Sequence, residues 1–124
     1  MKTDKQRLND FKADKKALKK EYSSAKKDVS KAKSAEKKNA KRIAKAEREI
    51  GHWYYLEQKR STAEGRRKLK QLCAVISTAE QEINRSSEVR EICGLRMKHI
   101  KEEIKAKKNA LKQSEVDTVD LNVN

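Results

Sequence analysis

Proline is absent from this 124-residue chain, and glycine occurs only at positions 51, 65 and 94. A chain with no proline and so few glycines has few points at which a helix must stop. Most of its polar residues are Lys, Glu, Arg and Gln, whose unbranched stems lose little rotamer freedom in a helix. The composition therefore favours long α-helices over strands and turns.

Apolar residues are scarce as well, at 35% of the chain against 42% charged residues, and the mean hydropathy is −1.12. We therefore expect helices that bury only one narrow stripe, because a thick core needs more apolar side chains. No apolar run approaches the roughly 18 residues of a membrane span, and the first residues contain no signal-type apolar region. These absences favour a cytoplasmic or otherwise intracellular location, with the interior of a virion as an alternative.

Patterns that carry catalysis or bind metals are missing too. His52 and His99 lie 47 residues apart, and no glycine-rich phosphate loop or nucleophile motif occurs. Cys73 and Cys93 would lie about 30 Å apart on one helix, too far for a disulfide, and no CxxC pattern suggests zinc. We predict reduced thiols and a protein that is not an enzyme and binds no cofactor, metal ion or small-molecule substrate.

Charge is the property that this chain has in excess. Its formal net charge is +14, from 33 basic and 19 acidic residues. Residues 1–60 hold 20 basic and 9 acidic groups, residues 61–113 hold 13 and 7, and residues 114–124 hold none and 3. The positive potential of the first half is expected to attract nucleic acid, an anionic membrane surface or an acidic protein.

Two runs of residues with alternating spacings of three and four predict two coiled-coil helices. We call the residues of both runs the seam. The first run contains Leu8, Phe11, Leu18, Tyr22, Ala25, Val29, Ala32, Ile43, Ala46, Ile50 and Trp53, and is interrupted by Lys15, Glu36 and Asn39. The second contains Leu69, Leu72, Ile76, Ala79, Ile83, Ser86, Arg90, Cys93, Met97, Ile100, Ile104, Lys107 and Leu111. Because the two runs are out of phase, the helix must break between them.

The break is predicted at Ser61-Thr62-Ala63-Glu64, which has the form of a capping box and precedes Gly65. We therefore predict an all-α fold, a long antiparallel coiled-coil helical hairpin with two arms of about 50 residues. Its expected parts are arm 1 at about 3–60, a turn at about 60–66, arm 2 at about 66–113 and an acidic, flexible tail at 114–124. A homodimer of unbroken helices is the main alternative.

An antiparallel register about Ser61 pairs polar exceptions as well as apolar residues. Phe11 then faces Leu111, and Lys15 faces Lys107, where both ammonium groups can extend past the seam. Glu36 lies one layer from Arg90, which predicts a polar layer that specifies register. This match of exceptions favours the hairpin over unbroken helices.

The flanks of the seam carry different charges. On one flank the expected pairs are Asp28 with Arg96 and Arg42 with Glu82. On the other, a lysine recurs every seven residues of arm 1, and no carboxylate of arm 2 faces this row. The basic candidates on this flank are Lys5, Lys12, Lys19, Lys26 and Lys33 of arm 1, which we call the lysine row, with Lys101 and Lys108 of arm 2. These residues are predicted to bind nucleic-acid phosphates; the alternative is a solvated face without a ligand.

Two further groups are candidates for binding a protein partner, because aromatic and arginine side chains dominate interfaces. At the hairpin tip these are Trp53, Tyr54, Tyr55, Leu56, Arg66 and Arg67. Only Trp53 of the aromatic run lies on the seam, and the alternative role of the cluster is to close the end of the coiled coil. The second group is Val89, Ile92 and Leu95, which lie off the seam and are expected to be exposed, suggesting a partner or self-association.

The residues therefore point to a non-enzymatic, basic helical protein that contacts the phosphate backbone of DNA or RNA without sequence preference, alone or within a ribonucleoprotein assembly. The alternative is an adaptor, scaffold or inhibitor, such as a viral or phage accessory protein or a secretion-machinery stalk protein. In that case the aromatic tip and the exposed helix face would dock on a larger protein assembly. The acidic tail, in which Val119, Leu121 and Val123 alternate with polar residues, could pair with a partner's sheet edge.

Overall fold

The computed structural model consists of two α-helices, α1 over Asp4–Lys59 and α2 over Ala63–Val123. It describes the backbone of residues 3–123 and the side chains of residues 3–114. No strand occurs among the residues described, so the predicted all-α class is confirmed, and so is the helix break next to residue 60. The unbroken helices of the dimer alternative are not observed.

The start of α1 is stabilised by a reciprocal capping box. The backbone N–H of Thr3 donates to Gln6 Oε1 at 2.9 Å, and the N–H of Gln6 donates to Thr3 Oγ1 at 3.2 Å. These bonds satisfy two backbone donors near the helix terminus that have no intrahelical acceptor. The carboxylate of Asp4 adds a favourable charge in the first turn.

The turn between the helices is built differently from the prediction. The cap of α2 is Thr62, whose Oγ1 accepts the N–H of Gly65 at 3.0 Å. The carboxylate that reaches back belongs to Glu57 of α1: its Oε1 accepts the Thr62 N–H at 3.0 Å, and its Oε2 accepts the Ser61 hydroxyl at 2.8 Å. The predicted capping box of Ser61 and Glu64 is therefore wrong, because the end of α1 already supplies the acceptor.

Gly65 makes this arrangement possible. It is buried, and a Cβ at this position would lie 1.9 Å from Glu57 Oε1. Its backbone has no positive φ, so the requirement for glycine is one of space and not of conformation. Any larger side chain would displace the Glu57 carboxylate from the start of α2.

The chain divides into two compact units, each made of a part of both helices. Unit 1 comprises Met1–Asp28 and Ile92–Asn124, and unit 2 comprises Val29–Glu91. Unit 2 contains the turn. Within it, Glu36 pairs with Arg90 and Arg42 pairs with Glu82, so numbers rise along α1 as they fall along α2. This order is the one that a helical hairpin requires.

The core of unit 2 is narrow and rich in alanine. Ala79 is fully buried, Ala46 is 3% exposed, and no large side chain is completely buried among the residues described. The buried residues of unit 2 are Ala32, Asn39, Ala46, Gly65, Leu72 and Ala79, and its half-buried seam residues are Val29, Glu36, Ile43, Ile50, Trp53, Leu69, Ile76, Ile83 and Ser86. Small side chains let the two backbones approach closely, and larger neighbours fill the space beside them.

A hydrogen-bonded polar layer interrupts this core. Asn39 is 4% exposed, and its Nδ2 donates to the carbonyl of Ala35 at 3.0 Å. Arg42 Nη1 donates to Asn39 Oδ1 at 2.9 Å and to Glu82 Oε2 at 3.2 Å. The amide of Asn39 is satisfied within α1 and therefore costs less than an unpaired polar group, while the bond from Arg42 to Glu82 joins this layer to α2 and favours the observed register.

The neighbouring pair of Glu36 and Arg90 matches the prediction. Arg90 Nε lies 3.3 Å from Glu36 Oε1, an oxygen that is shielded from solvent and receives no hydrogen bond of good geometry. The attraction is therefore mainly one of charge. Arg90 is the one predicted seam residue of α2 that is exposed, because its guanidinium stays at the surface while its partner is half-buried.

Unit 1 has a second small core. Leu18, Ala25 and Ile100 are buried here. The half-buried seam residues of this unit are Phe11, Lys15, Tyr22, Cys93, Met97, Ile104, Lys107 and Leu111. Leu8 is 39% exposed, so the predicted seam loses its first member near the start of α1.

The ion pairs of unit 1 correct one predicted contact. Arg96 Nη2 lies 3.2 Å from Glu21 Oε2 and does not pair with Asp28, although both carboxylates border the same crevice. Lys107 Nζ lies 3.3 Å from Asp14 Oδ2, and Lys15 Nζ lies 5.9 Å from the Phe11 ring centroid. Both ammonium groups thus find partners and need not face each other.

Helix α2 continues past the predicted end of arm 2 at residue 113. Its backbone is helical to Val123, because no proline or glycine interrupts residues 114–123 and the helix propagates from the preceding turns. Ser114 is half-buried and accepts a hydrogen bond from Arg7. The side chains of residues 115–124 lie outside the described residues, and the flexibility expected of this tail stays a prediction.

Acidification should weaken the turn through Glu57. Hydrogen bonds from the Thr62 backbone and the Ser61 hydroxyl, with the nearby charge of Arg66, hold the pKa of this carboxyl below its ordinary value. A depressed pKa means that its contribution is complete above the ordinary pKa and is lost as the pH falls through the lowered one. Glu57→Gln should therefore lower Tm near neutral pH and converge with the wild type in acid, measured by circular dichroism.

Glu47→Gln, at an exposed carboxylate earlier in α1, is the matched control. Its Tm should stay nearly parallel to that of the wild type over the whole pH range. A Tm difference between wild type and Glu57→Gln that stays constant into acid would contradict the role given to the carboxylate.

Candidate nucleic-acid interface

The lysine row lies on one side of α1. Lys5, Lys12, Lys19 and Lys26 belong to unit 1, and all four side chains are exposed. Their seven-residue spacing corresponds to about 10.5 Å along the helix axis. Lys33 has the same heptad position and is also exposed, but it belongs to unit 2.

Helix α2 adds basic groups to unit 1. Lys101 and Lys108 are exposed, and Lys101 Nζ lies 5.5 Å from the ring centroid of Tyr22. Tyr22 is three residues after Lys19 and four before Lys26, so the Lys101 ammonium lies beside that stretch of α1. The structure thus brings the predicted lysine of α2 to the row of α1 at this point.

Three more lysines on α2 were missed by the sequence reasoning. Lys98, Lys105 and Lys112 are exposed and recur every seven residues. Spacings of three and four place them beside Lys101 and Lys108 on the same side of the helix. Their seven-residue spacing is the sequence signal that could have identified them. They occupy a different heptad position from that of the lysine row.

The basic surface of α1 is also wider than the lysine row. An open groove of about 740 Å³ lies on α1 and is lined by Lys12, Lys15, Lys16, Lys19, Lys20, Ser23, Ser24 and Lys27. None of the described residues that line it is acidic. Its two serine hydroxyls can donate hydrogen bonds to anionic oxygens between the ammonium groups. The groove therefore has the charge and the donors that phosphate groups require.

Three carboxylates of unit 1 lie in ion pairs with basic residues outside the lysine row. Glu21 pairs with Arg96, Asp14 with Lys107, and Asp4 lies 4.0 Å from Arg7. Among the residues described, no ion pair includes a lysine of the row. Within the described part of the chain, the charge of the lysine row is thus not compensated by an ion pair.

Repulsion within the row is small enough for the folded protein to tolerate. Two unit charges 10.5 Å apart in water repel by about 0.4 kcal/mol before screening by salt. At ~0.1 M salt the Debye length is about 10 Å, which reduces this cost further. The row therefore costs little stability, while its summed potential remains available to a polyanion.

The tip separates its aromatic side chains as predicted. Trp53 is half-buried, whereas Tyr54 is 59% and Tyr55 is 55% exposed. Lys59 Nζ lies 4.7 Å from the centroid of the Tyr55 ring. The other predicted members of this surface, Leu56, Arg66 and Arg67, are exposed as well.

The second predicted partner surface is exposed too. Val89, Ile92 and Leu95 of α2 are 43%, 65% and 54% exposed. Exposure fits a binding role for these residues and for the tip, but their partner remains a hypothesis.

Cys73 and Cys93 are free thiols, the first exposed and the second half-buried. Within the described part of the chain, no group of three or more His, Cys, Asp or Glu residues could hold a metal ion. None of the helical residues described forms a stretch apolar and long enough to cross a membrane.

Comparison with known proteins found no match among protein-family models, curated proteins or solved structures. A function for this chain is therefore inferred from its own residues and their arrangement.

Alanine substitutions should separate the packing role of the tip from its exposed surface. Trp53→Ala is expected to lower stability by about 1–3 kcal/mol, less than for a fully buried aromatic, because the ring is half-buried. Tyr54→Ala with Tyr55→Ala should change stability by less than about 1 kcal/mol, since surface changes usually do. Urea unfolding followed by circular dichroism measures both; equal losses would show that all three rings pack the end of the helices.

Proposed function

We propose that this chain is a non-enzymatic protein that binds the phosphate backbone of nucleic acid, alone or within a ribonucleoprotein assembly. The observation that carries the proposal is the uncompensated basic surface of unit 1. There Lys5, Lys12, Lys19 and Lys26 of the lysine row lie in one unit with the groove and with the exposed α2 lysines Lys98, Lys101, Lys105, Lys108 and Lys112. Among the residues described, no ion pair includes any of these lysines.

The spacing of the lysines suits phosphates better than bases. Along the axis of a duplex, each strand carries one phosphate about every 3.4 Å, so several phosphates are available within each interval of about 10.5 Å between lysines. The flexible stem of lysine adjusts to small mismatches, but an ammonium carries no planar hydrogen-bonding pattern for reading a base. Binding should therefore be tolerant of sequence and sensitive to salt.

We infer further that α1 and α2 pair as an antiparallel coiled coil, which would hold the lysines at these intervals. The support is the pattern of burial: in each unit the buried and half-buried residues follow spacings of three and four along both helices. A supercoil with 3.5 residues per turn keeps a seven-residue repeat on one side of the helix. An ordinary helix would let the same repeat drift around its axis.

A second candidate function is that of a protein adaptor, scaffold or inhibitor. It is favoured by the exposure of Tyr54 and Tyr55, which contribute little to the core and suit a protein interface. Pull-down from native extract with and without nuclease separates the two functions. Nucleic-acid binding predicts that nuclease removes the captured partners, whereas an adaptor retains them until Tyr54 and Tyr55 are changed to alanine.

The direct test compares two triple variants of α1. Lys12, Lys19 and Lys26, changed to glutamine, lose three charges of the basic surface and keep good helix propensity. Affinity for a random-sequence duplex should fall, and the slope of log affinity against log salt should become shallower by about 0.9 per lost contact, roughly 3 in all. Fluorescence anisotropy at several salt concentrations, with DNA and RNA duplexes, measures both quantities.

Lys31, Lys38 and Lys45, changed to glutamine, provide the matched control. They are exposed, lie on the same helix and have the same seven-residue spacing, but they occupy another heptad position. This variant should keep most of the salt dependence. If both variants lose affinity and slope equally, the binding reflects total charge alone and the proposed surface is wrong.

A further inference from the structure

Helix α2 exposes three apolar side chains on one face. Ile92 is 65% exposed, and Val89 and Leu95, three residues away on either side, are 43% and 54% exposed. A helical repeat of 100° per residue places both within about 60° of Ile92. Because this is one face of a continuous helix, its arrangement follows from the helical repeat alone. An exposed apolar group of this kind marks a surface that another molecule can cover.

The residues around Ile92 are arranged symmetrically in position, with apolar side chains next to it and opposite charges further out. Val89 precedes Ile92 by three positions and Leu95 follows it by three. Glu88 precedes it by four positions, and Arg96 follows it by four. All five residues are exposed and lie on the same face. An apolar centre is thus flanked by an acidic group on one side and a basic group on the other, at equal distances.

We propose that this face binds the same face of a second copy of the chain, antiparallel, with a twofold axis at Ile92. A twofold operation pairs Ile92 with itself, Val89 with the partner's Leu95, and Glu88 with the partner's Arg96. Each apolar side chain then meets another, and each charge meets its opposite, twice per dimer. A parallel pairing would instead place Glu88 on Glu88 and Arg96 on Arg96.

The charge pattern is what selects a second copy over an unrelated protein. An unrelated partner needs a complementary surface of its own and places no demand on symmetry within this helix. A twofold contact requires a self-complementary surface. The apolar residues and the opposite charges placed symmetrically about Ile92 form such a surface. The next pair outward, Arg85 with His99, adds no attraction between opposite charges. The complementary contact is therefore confined to residues 88–96.

Arg96 can take part although it already contacts Glu21. That ion pair is at the surface, with both side chains at least half exposed. Such pairs contribute little to stability, so an exchange of Glu21 for the partner's Glu88 costs little. Six apolar side chains make a small interface, well below the area of a permanent dimer, so association should be weak and dependent on concentration.

Single cysteines test the axis directly. The background carries Cys73→Ser and Cys93→Ala, and the samples are free of nucleic acid, so the result is independent of phosphate binding. Ile92→Cys should form disulfide-linked dimers under mild oxidation, because the two copies meet there. Gly94→Cys is the control: position 94 is exposed, a Cβ there would meet nothing within 4 Å, and it lies about 160° around the helix from Ile92.

Val89→Cys and Leu95→Cys test the direction of pairing. Each should crosslink poorly with itself, and a mixture of the two should yield the heterodimer. Efficient self-crosslinking of Val89→Cys would mean a parallel contact and overturn the proposal. Equal crosslinking of Ile92→Cys and Gly94→Cys would mean random collision between copies, and would overturn the proposed self-association through this face.

Sedimentation equilibrium gives an independent measurement on the unmodified sequence. The average mass should rise with concentration for the wild type and stay that of a monomer for Ile92→Glu, with unchanged circular dichroism. A wild type that remains monomeric at the highest soluble concentration would overturn the proposal.

Discussion

Everything in this structure depends on the close contact of two helices along a stripe only one or two residues wide. Ala79 has no exposed surface, and Ala25, Ala32 and Ala46 are buried at the same kind of position. Alanine contributes little apolar area, so the stability per residue is small and must be accumulated over many turns. Most side chains are consequently left outside the contact, where charge costs little. A fold of this kind therefore presents long exposed surfaces on which side chains of one type, such as the lysines of α1, recur at regular intervals.

An interface of repeated small residues is also easily shifted by one heptad, and the polar layer opposes such a shift. Arg42 links the buried Asn39 of its own helix to Glu82 of the other helix, and the shielded Glu36 oxygen faces Arg90 across the same contact. Sliding one helix by seven residues would separate Arg42 from Glu82 and Glu36 from Arg90. The shielded Glu36 oxygen would then lack its cation, and an unpaired buried polar group costs about 1–3 kcal/mol, or more when it is charged. The layer thus exchanges some stability for a single register.

The main features of the fold could be predicted because they depend on local spacing. The break beside residue 60 followed from the change of phase, and burial of Trp53 with exposure of Tyr54 followed from heptad position. The errors concern flexible groups. Glu57 caps α2 because its rotamer reaches across the turn, and Arg96 can reach several carboxylates, of which Glu21 is the one observed. Heptad position specifies neighbours, but it does not specify which of two nearby acids a long side chain will bind. The exposure of the lysine row could be predicted, because it depends only on heptad position and not on which partner a side chain binds.

The proposed twofold contact is compatible with the lysines that α2 adds to the basic surface, because Ile92 and Lys101 lie on opposite sides of that helix. Lys101 is nine residues from Ile92, which is two and a half turns, or about 180° around α2. A twofold contact at Ile92 therefore leaves Lys101 and Lys108 uncovered in both copies. Two basic surfaces in one dimer would raise affinity for a long polyanion through effective concentration, or would hold two duplexes together. A weak dimer is sufficient for this, since copies bound along one nucleic acid meet at a much higher local concentration than free copies do.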